Sequence, residues 1–335
     1  MRELLAATIY RMLNLLLLPV TLLGYVIWIS CLLIRRRSGV SATAQGPLSA
    51  RWLQHRLGIR DDEPAYRLLM ALPGVSSLAV RLAFGPILLA HRLCGYVPQA
   101  FRYPFAGNLS LQNQAAARQT FYDSVVDQYS TDVGQFVILG AGFDTRALRL
   151  PRDTKVRAFE VDTSKTLTIK QKTLVHAGVS LAGVTYVAAD FEQEDWLSRL
   201  VEAGFDTDRP TLFLWEGVTP YLDRATVEDT LRTIAGVAQG SVIAFDYFTT
   251  EVLDSRALYL RMVRASLRAV GEPLTFGIDS HPPARERLAG LLQVCGLVLK
   301  EHRTLGQEAG GKRAWGGYAT AGSSPEGAAV RPAWC

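Results

Sequence analysis

The sequence predicts an α/β protein, a mostly parallel, doubly wound sheet with helices on both faces, preceded by an N-terminal transmembrane helix. Two observations carry this reading. Short apolar runs at 135–140, 155–161, 184–189, 210–215 and 241–246 alternate with helix-length segments at 163–178, 192–203 and 223–238, the pattern of buried parallel strands joined by crossover helices. Ahead of them, Met12 to Ile34 (MLNLLLLPVTLLGYVIWISCLLI) runs 23 residues without a charge, against the roughly 20 that a helix needs to cross about 30 Å of hydrocarbon.

The N-terminal element comes first. Asn14, Pro19 and Gly24 suit a soluble helix poorly but are tolerated in a span, and Tyr25 and Trp28 lie toward one end, where amphipathic rings favour the interface. A cleaved signal peptide fits less well, because Arg35-Arg36-Arg37 occupies the place of a small-residue cleavage site. A buried core helix is the other alternative. The arginines after the span outweigh Arg2 and Arg11 before it, which puts the C-terminal part on the cytoplasmic side of a single-pass membrane protein. Residues 1–37 are thus read as an anchor. Ser38 to Pro47 reads as a turn-rich linker. Within 38–112, the apolar stretch Leu68 to Val97 is interrupted by Pro73, Arg81, Pro86, His91 and Arg92. It reads as two short amphipathic helices, either a lid or an element lying in the membrane interface.

Charge is distributed unevenly. Of the net charge of +5, residues 1–60 carry +7, with eight arginines against Glu3, so the remainder carries −2. A slightly acidic body excludes general nucleic-acid binding, whereas a basic cluster beside an apolar segment attracts anionic lipid headgroups. The cysteines (Cys31, Cys94, Cys295, Cys335) form no CxxC pair, so neither a metal site nor a disulfide framework is expected, in keeping with a reducing compartment.

The body begins with a helical segment at about 113–131. The first strand then ends in Leu139-Gly140-Ala141-Gly142-Phe143-Asp144-Thr145, where Gly140 and Gly142 permit a tight turn and close approach of a ligand. Thr145 replaces the third glycine of a GxGxxG fingerprint, which argues against a pyrophosphate on a following helix. Another helix-compatible segment leads to the second strand. Asp162 at its end lies 22 residues after Gly140, where a ribose-hydroxyl acceptor belongs for NAD and S-adenosylmethionine alike. Asp190 and Phe191 end the third strand, offering a carboxylate and a ring for an adenine, and Glu216 ends the fourth. For any one of these acids a helix N-cap or solvated loop is an adequate explanation; for the set it is not. Segments 297–304 and 313–320 read as a terminal antiparallel pair, and 321–335 as a disordered tail.

AARQTFYD at 116–123, VILGAGFDTRALRL at 137–150, FEVD at 159–162, ADF at 189–191 and PTLFLWEGVTPYL at 210–222 occur in the order and spacing of a known family. Over about 113–250 the sequence resembles the leucine carboxyl methyltransferase group of S-adenosylmethionine-dependent enzymes, with its bacterial small-molecule and polyketide O-methyltransferase relatives. The resemblance implies the seven-stranded, Rossmann-like class I methyltransferase fold over 113–320. It places Arg118 on the methionine carboxylate, Gly140 and Gly142 along the cofactor, Asp162 on the ribose, Asp190 and Phe191 around the adenine, and Glu216 near the methionine amino group. The sequence departs from the family at Thr219-Pro220-Tyr221, where many members carry a bulkier apolar residue before the tyrosine, and throughout the region before 110.

These features together predict an S-adenosylmethionine-dependent O-methyltransferase that acts on a carboxyl or hydroxyl group of a lipophilic small molecule at the membrane surface. A protein C-terminus is a second acceptor class, implied by the resemblance. An ionised carboxylate needs no base, whereas a hydroxyl does. His281 is the weak candidate for that base and His91 a more distant one, although a surface or capping role describes both better. Two rival readings are an NAD(P)-dependent oxidoreductase and a membrane-tethered binding protein with a degenerate cofactor pocket.

Overall fold

The computed structural model describes residues 1–34, 42–151, 153–269, 271–308 and 312–323. Its centre is a seven-stranded sheet in the order β3-β2-β1-β4-β5-β7-β6, with β1 Gln135–Leu139, β2 Arg157–Asp162, β3 Val184–Ala188, β4 Thr211–Trp215, β5 Val242–Phe248, β6 Leu297–Leu305 and β7 Gly316–Ser323. The first five strands pair in parallel, and β7 runs antiparallel between β5 and β6. Every residue of β1 and β4 is buried, which is why these strands read as continuous apolar runs. Strand order reverses between β1 and β4, so the crevice for a ligand opens beyond the carboxyl ends of these two. β7 continues to Ser323, three residues into the predicted tail; the rest of that tail lies outside the described residues.

Four helices fall close to their predicted places: α6 Gln114–Tyr129, α7 Ser164–His176, α8 Trp196–Glu202 and α9 Arg224–Ala235. The last three begin where Thr163, Asp195 and Asp223 cap their first turns, satisfying amide groups that a helix leaves without partners. The expected helix between β1 and β2 is absent among the described residues. A three-residue 3-10 turn, Ala147–Arg149, stands there instead, because Thr145 and Arg146 are drawn into a buried ion network and Pro151 forbids continuation. Beyond β5 come α10 Thr250–Asp254, α11 Leu258–Ala269 and α12 Ala284–Val294.

The N-terminal region is a helical layer rather than a bare anchor. It comprises α1 Arg2–Leu16, α2 Leu18–Ile34, α3 Ala42–Arg56, α4 Glu63–Ala71 and α5 Ser77–Cys94. The expected span from Met12 to Ile34 is not one straight helix, since α1 and α2 meet at Leu17 with a bend of 59°. The stretch from Leu68 is likewise not two short helices of its own: it holds the end of α4 and the single 18-residue α5, which keeps Pro86 within it. By length and composition α5 is apolar enough to cross a membrane, as the bent pair is if taken together. The predicted linker is helical from Ala42, with Pro47 inside α3, because Leu48, Trp52 and Leu53 are buried against α4 and α5 in one apolar cluster; residues 35–41, with Arg35-Arg36-Arg37, lie outside the described residues.

Helix α2 packs directly on α5 at Gly24. A Cβ there would meet the backbone nitrogen of Ala83 at 2.3 Å, so the two helices approach backbone to backbone, as small residues allow. Gly24→Val should force them apart and cost about 1–3 kcal/mol, read as a lowered Tm in calorimetry of the detergent-solubilised protein.

Candidate active site

At the carboxyl ends of β1 to β5 lies a cavity of about 680 Å3, within the roughly 300–1,000 Å3 typical of small-molecule sites. Arg118, Gly140, Gly142, Asp162, Asp190, Phe191 and Glu216 all line it. The local sequence explains their placement. Gly140 turns the chain at φ +63°, and a Cβ there would strike Val218 at 2.3 Å, so only glycine fits. Asp162 clamps this turn from the end of β2. Its Oδ2 accepts the Gly142 amide and its Oδ1 the Thr163 amide, both at 2.7 Å, and burial raises its carboxyl above the ordinary value. Asp190 Oδ1 accepts the Glu192 amide at 3.0 Å, and Phe191 packs between Trp196 and Trp215.

Arg118, on α6, pairs through Nη2 with Asp246 of β5 at 2.8 Å. Asp246 also accepts the Gly217 amide at 2.6 Å and the Tyr122 hydroxyl at 3.1 Å, which fixes the β4 turn against the same helix. Glu216 accepts from Arg146 at 2.5 Å. Arg146 is buried beneath the cavity floor and pairs also with Asp144, and with Asp123 of α6 at 2.7 Å. Arg60 pairs with Asp62 and Asp123, and Arg51 with Asp144 at 3.4 Å. Thr145 donates to Asp62 at 2.8 Å. Burial would raise both acids, but the guanidiniums of Arg146 and Arg60 at Asp123, and of Arg146 and Arg51 at Asp144, outweigh it and hold them below the usual carboxylate range.

Five buried polar atoms on side chains of this wall have no protein partner: Nε of Arg51, Oε1 of Gln114, Nε of Arg118, Nε2 of Gln119 and Oε1 of Glu216. Buried polar groups are nearly always satisfied, so these atoms point to a ligand that carries both a donor and an acceptor. Among the described lining residues six carboxylates (Asp144, Asp162, Asp190, Glu192, Glu216, Glu272) face two guanidiniums (Arg51, Arg118). The cavity therefore favours an electropositive guest over a pyrophosphate, and the missing helix after Gly142 removes the usual anion cradle. His281 is outside this wall. It is exposed and holds Asp279 at 2.7 Å, a local turn contact that leaves it remote from the cavity. His91 is spent on the Tyr96 carbonyl. No histidine, cysteine or lysine lines the cavity among the described residues, and no group of three metal-ligating side chains occurs among them.

Residues 105–235 match the leucine carboxyl methyltransferase family. A protein of Mycolicibacterium gilvum named "Putative S-adenosyl-L-methionine-dependent methyltransferase" is 31% identical over 226 residues, covering 66% of this chain and 69% of its own. The chain belongs to the leucine carboxyl methyltransferase family. A relative of the same name from Mycolicibacterium smegmatis is 39% identical over 176 residues, 50% of this chain, and the match spans about half its length, 52%. Likeness to solved structures is looser: magnesium protoporphyrin IX methyltransferase from Synechocystis is 11% identical, with a TM-score of 0.41 over 66% of this chain and 91% of its own.

The residues present fit the family's cofactor, S-adenosylmethionine. Glu216 and Arg118 each keep a buried polar atom without a protein partner, Asp162 keeps lone pairs beyond the two amides it holds, and Gly140 holds the positive φ that lets the β1 end turn at the cavity. Sequence reading missed Asp246, Arg146 and the α3 wall of Ala44, Pro47 and Arg51. The GAGFDTR block holds a signal for Arg146, since an arginine so close to an apolar strand end must find carboxylates or stay in water.

Arg146→Met should cost about 3–5 kcal/mol in chemical denaturation, because it strands buried carboxylates. The wild-type network also sets an acid limb. The unfolded chain takes up protons near pH 3.9 that native Asp123 and Asp144 refuse, so their contribution is complete above about pH 5 and is lost as the pH falls below 4. In the variant this limb should be shallower, because without Arg146 the native carboxyls of Asp123 and Asp144 are depressed less, while its onset, set by the unfolded chain, stays where it is.

Proposed function

We propose that this chain is an S-adenosylmethionine-dependent O-methyltransferase that methylates a carboxyl or hydroxyl group, by preference a carboxylate, of a lipophilic small molecule at the cytoplasmic face of a membrane. The observation that carries the reading is one cavity whose wall changes character. Asp162, Asp190 and Glu216 line it from the strand ends with Arg118 of α6, while the segment after β5 contributes Val252, Leu260, Val263, Leu267 and Leu274, with Glu272 as its one carboxylate.

S-adenosylmethionine, when bound, supplies a methyl group activated by the adjoining sulfonium. The protein supplies orientation and exclusion of water. Arg118, held rigid by Asp246, would grip a carboxylate; Glu216, held by Arg146, would accept from an amine; Asp162 would take the ribose hydroxyls and Asp190 and Phe191 the adenine. The apolar half would strip water from the acceptor and aim its oxygen at the methyl. Without an imidazole on the described wall, an acceptor already ionised at neutral pH is the simpler match, since a carboxylic acid has a reference pKa near 4. The membrane assignment rests on the apolar face of α1, α2 and α5 and on the arginines that follow α2 in the sequence.

Asp162→Ala should weaken S-adenosylhomocysteine about ten- to hundred-fold in calorimetry, the worth of charged hydrogen bonds at a buried site; unchanged affinity would refute the cofactor assignment. Incubation with methyl-labelled S-adenosylmethionine and a membrane lipid extract should give product whose label alkali releases as volatile methanol, as an ester does. Alkali-stable label would move the acceptor to a hydroxyl.

A further inference from the structure

We infer that α11 is a second membrane contact of this protein, an amphipathic helix lying in the headgroup plane of an anionic bilayer at the mouth of the cavity, through which a lipophilic acceptor passes from lipid to the site. The inference rests on the membrane reading above and adds a surface that the N-terminal helices do not include.

Between Arg256 and Ala269 the chain holds four arginines and no acid. Leu258, Tyr259 and Met262 are 70%, 64% and 64% exposed, on a helix that buries only Leu260. Helical geometry, 100° per residue, places Leu258, Met262, Ala265 and Ala269 on one outward strip. Tyr259 stands beside that strip and itself lines the cavity, together with Val263 and Leu267 further round. Through Met262, Tyr259 and Val263 apolar surface therefore leads from the outside of the helix to the cavity, while the exposed Ser266 lies on the same flank one turn further on. On the other flank lie Arg261 and Arg268, both exposed. Arg264 is used internally, donating to the Val252 and Ser255 carbonyls at 2.7 and 2.6 Å, which ties the helix to α10. An exposed apolar strip bordered by arginines, with no acid on the helix, is complementary to an anionic lipid surface.

The placement agrees with the rest of the chain. Glu272, just past α11, accepts the Thr43 amide at the start of α3. Two residues on, Gln45 accepts from Trp28 of α2 at 3.3 Å. The membrane-facing helices and α11 thus meet at one end of α3, beside the cavity.

The test uses the full chain with Cys31, Cys94 and Cys335 replaced by serine and the buried Cys295 by alanine, carrying one bimane-labelled cysteine at Met262, Leu258, Leu22 or Val201. The proteins are reconstituted in nanodiscs of phosphatidylcholine with about a third phosphatidylglycerol, with and without doxyl-labelled lipid. Val201, exposed near the end of α8, lies toward the amino ends of the strands, away from the cavity at their carboxyl ends. We expect doxyl lipid to remove about half of the fluorescence at 262 and 258, the depth of an interfacial helix being about 5–10 Å, and none at 201. Quenching at 22 alone overturns the inference and leaves the membrane reading intact; no quenching at 22 either defeats both. A label at 262 shielded from doxyl lipid and from aqueous iodide marks a protein partner on this face and overturns the lipid assignment.

Discussion

The site depends on one buried guanidinium. Arg146 lies on the turn after β1 and reaches Asp123 on α6, Asp144 two residues before it and Glu216 after β4. Three separate pieces of chain are thereby set relative to one another by charge, in a place where apolar packing alone would leave their angles free. Buried ion pairs add little net stability over a well-packed apolar core, but breaking one is severe. The arrangement is consequently a means of specifying geometry. It holds one oxygen of Glu216 and leaves the other without a protein partner, and Asp246 holds one nitrogen of Arg118 in the same way.

This clamp also separates the rival chemistries. A nicotinamide dinucleotide brings an anionic pyrophosphate, which requires free amides at a helix N-terminus or an excess of cationic side chains. Here the turn after β1 enters a 3-10 segment, and the cations near it are already neutralised by Asp62, Asp123 and Asp144. What remains toward the cavity is predominantly negative. Such a wall suits a guest that carries positive charge better than one that carries a pyrophosphate.

Much of this was legible in the sequence, for a definite reason. Strands buried on both faces have to be apolar throughout, so β1, β2, β4 and β5 stand out as runs, and the residues that follow such runs must fall at the crevice. That logic placed Gly140, Asp162, Asp190 and Glu216 on one wall. It could not reveal Asp246, because an acid in the middle of β5 looks like an interruption until Arg118 of α6 is seen beside it. His281 stands apart for the opposite reason: a histidine after the long helical segment that follows β5 has the right chemistry, but it is exposed, paired with Asp279 and not among the residues that line the cavity. The helix expected after Gly142 was lost to ion pairs made with α4 and α6, contacts between residues far apart in sequence that no local pattern encodes.

The N-terminal region shows how much one mistaken period can hide. A charge-free run of 23 residues reads as a rod across the bilayer, yet the chain bends by 59° at Leu17 and presses Gly24 against α5. Because α5 leads back toward α6 and α3 forms part of the cavity wall, the apolar layer is joined mechanically to the site. A simple tether would leave the catalytic body free to turn in any direction above the membrane. A layer that shares α3 with the cavity instead fixes the orientation of α1, α2 and α5 relative to the site.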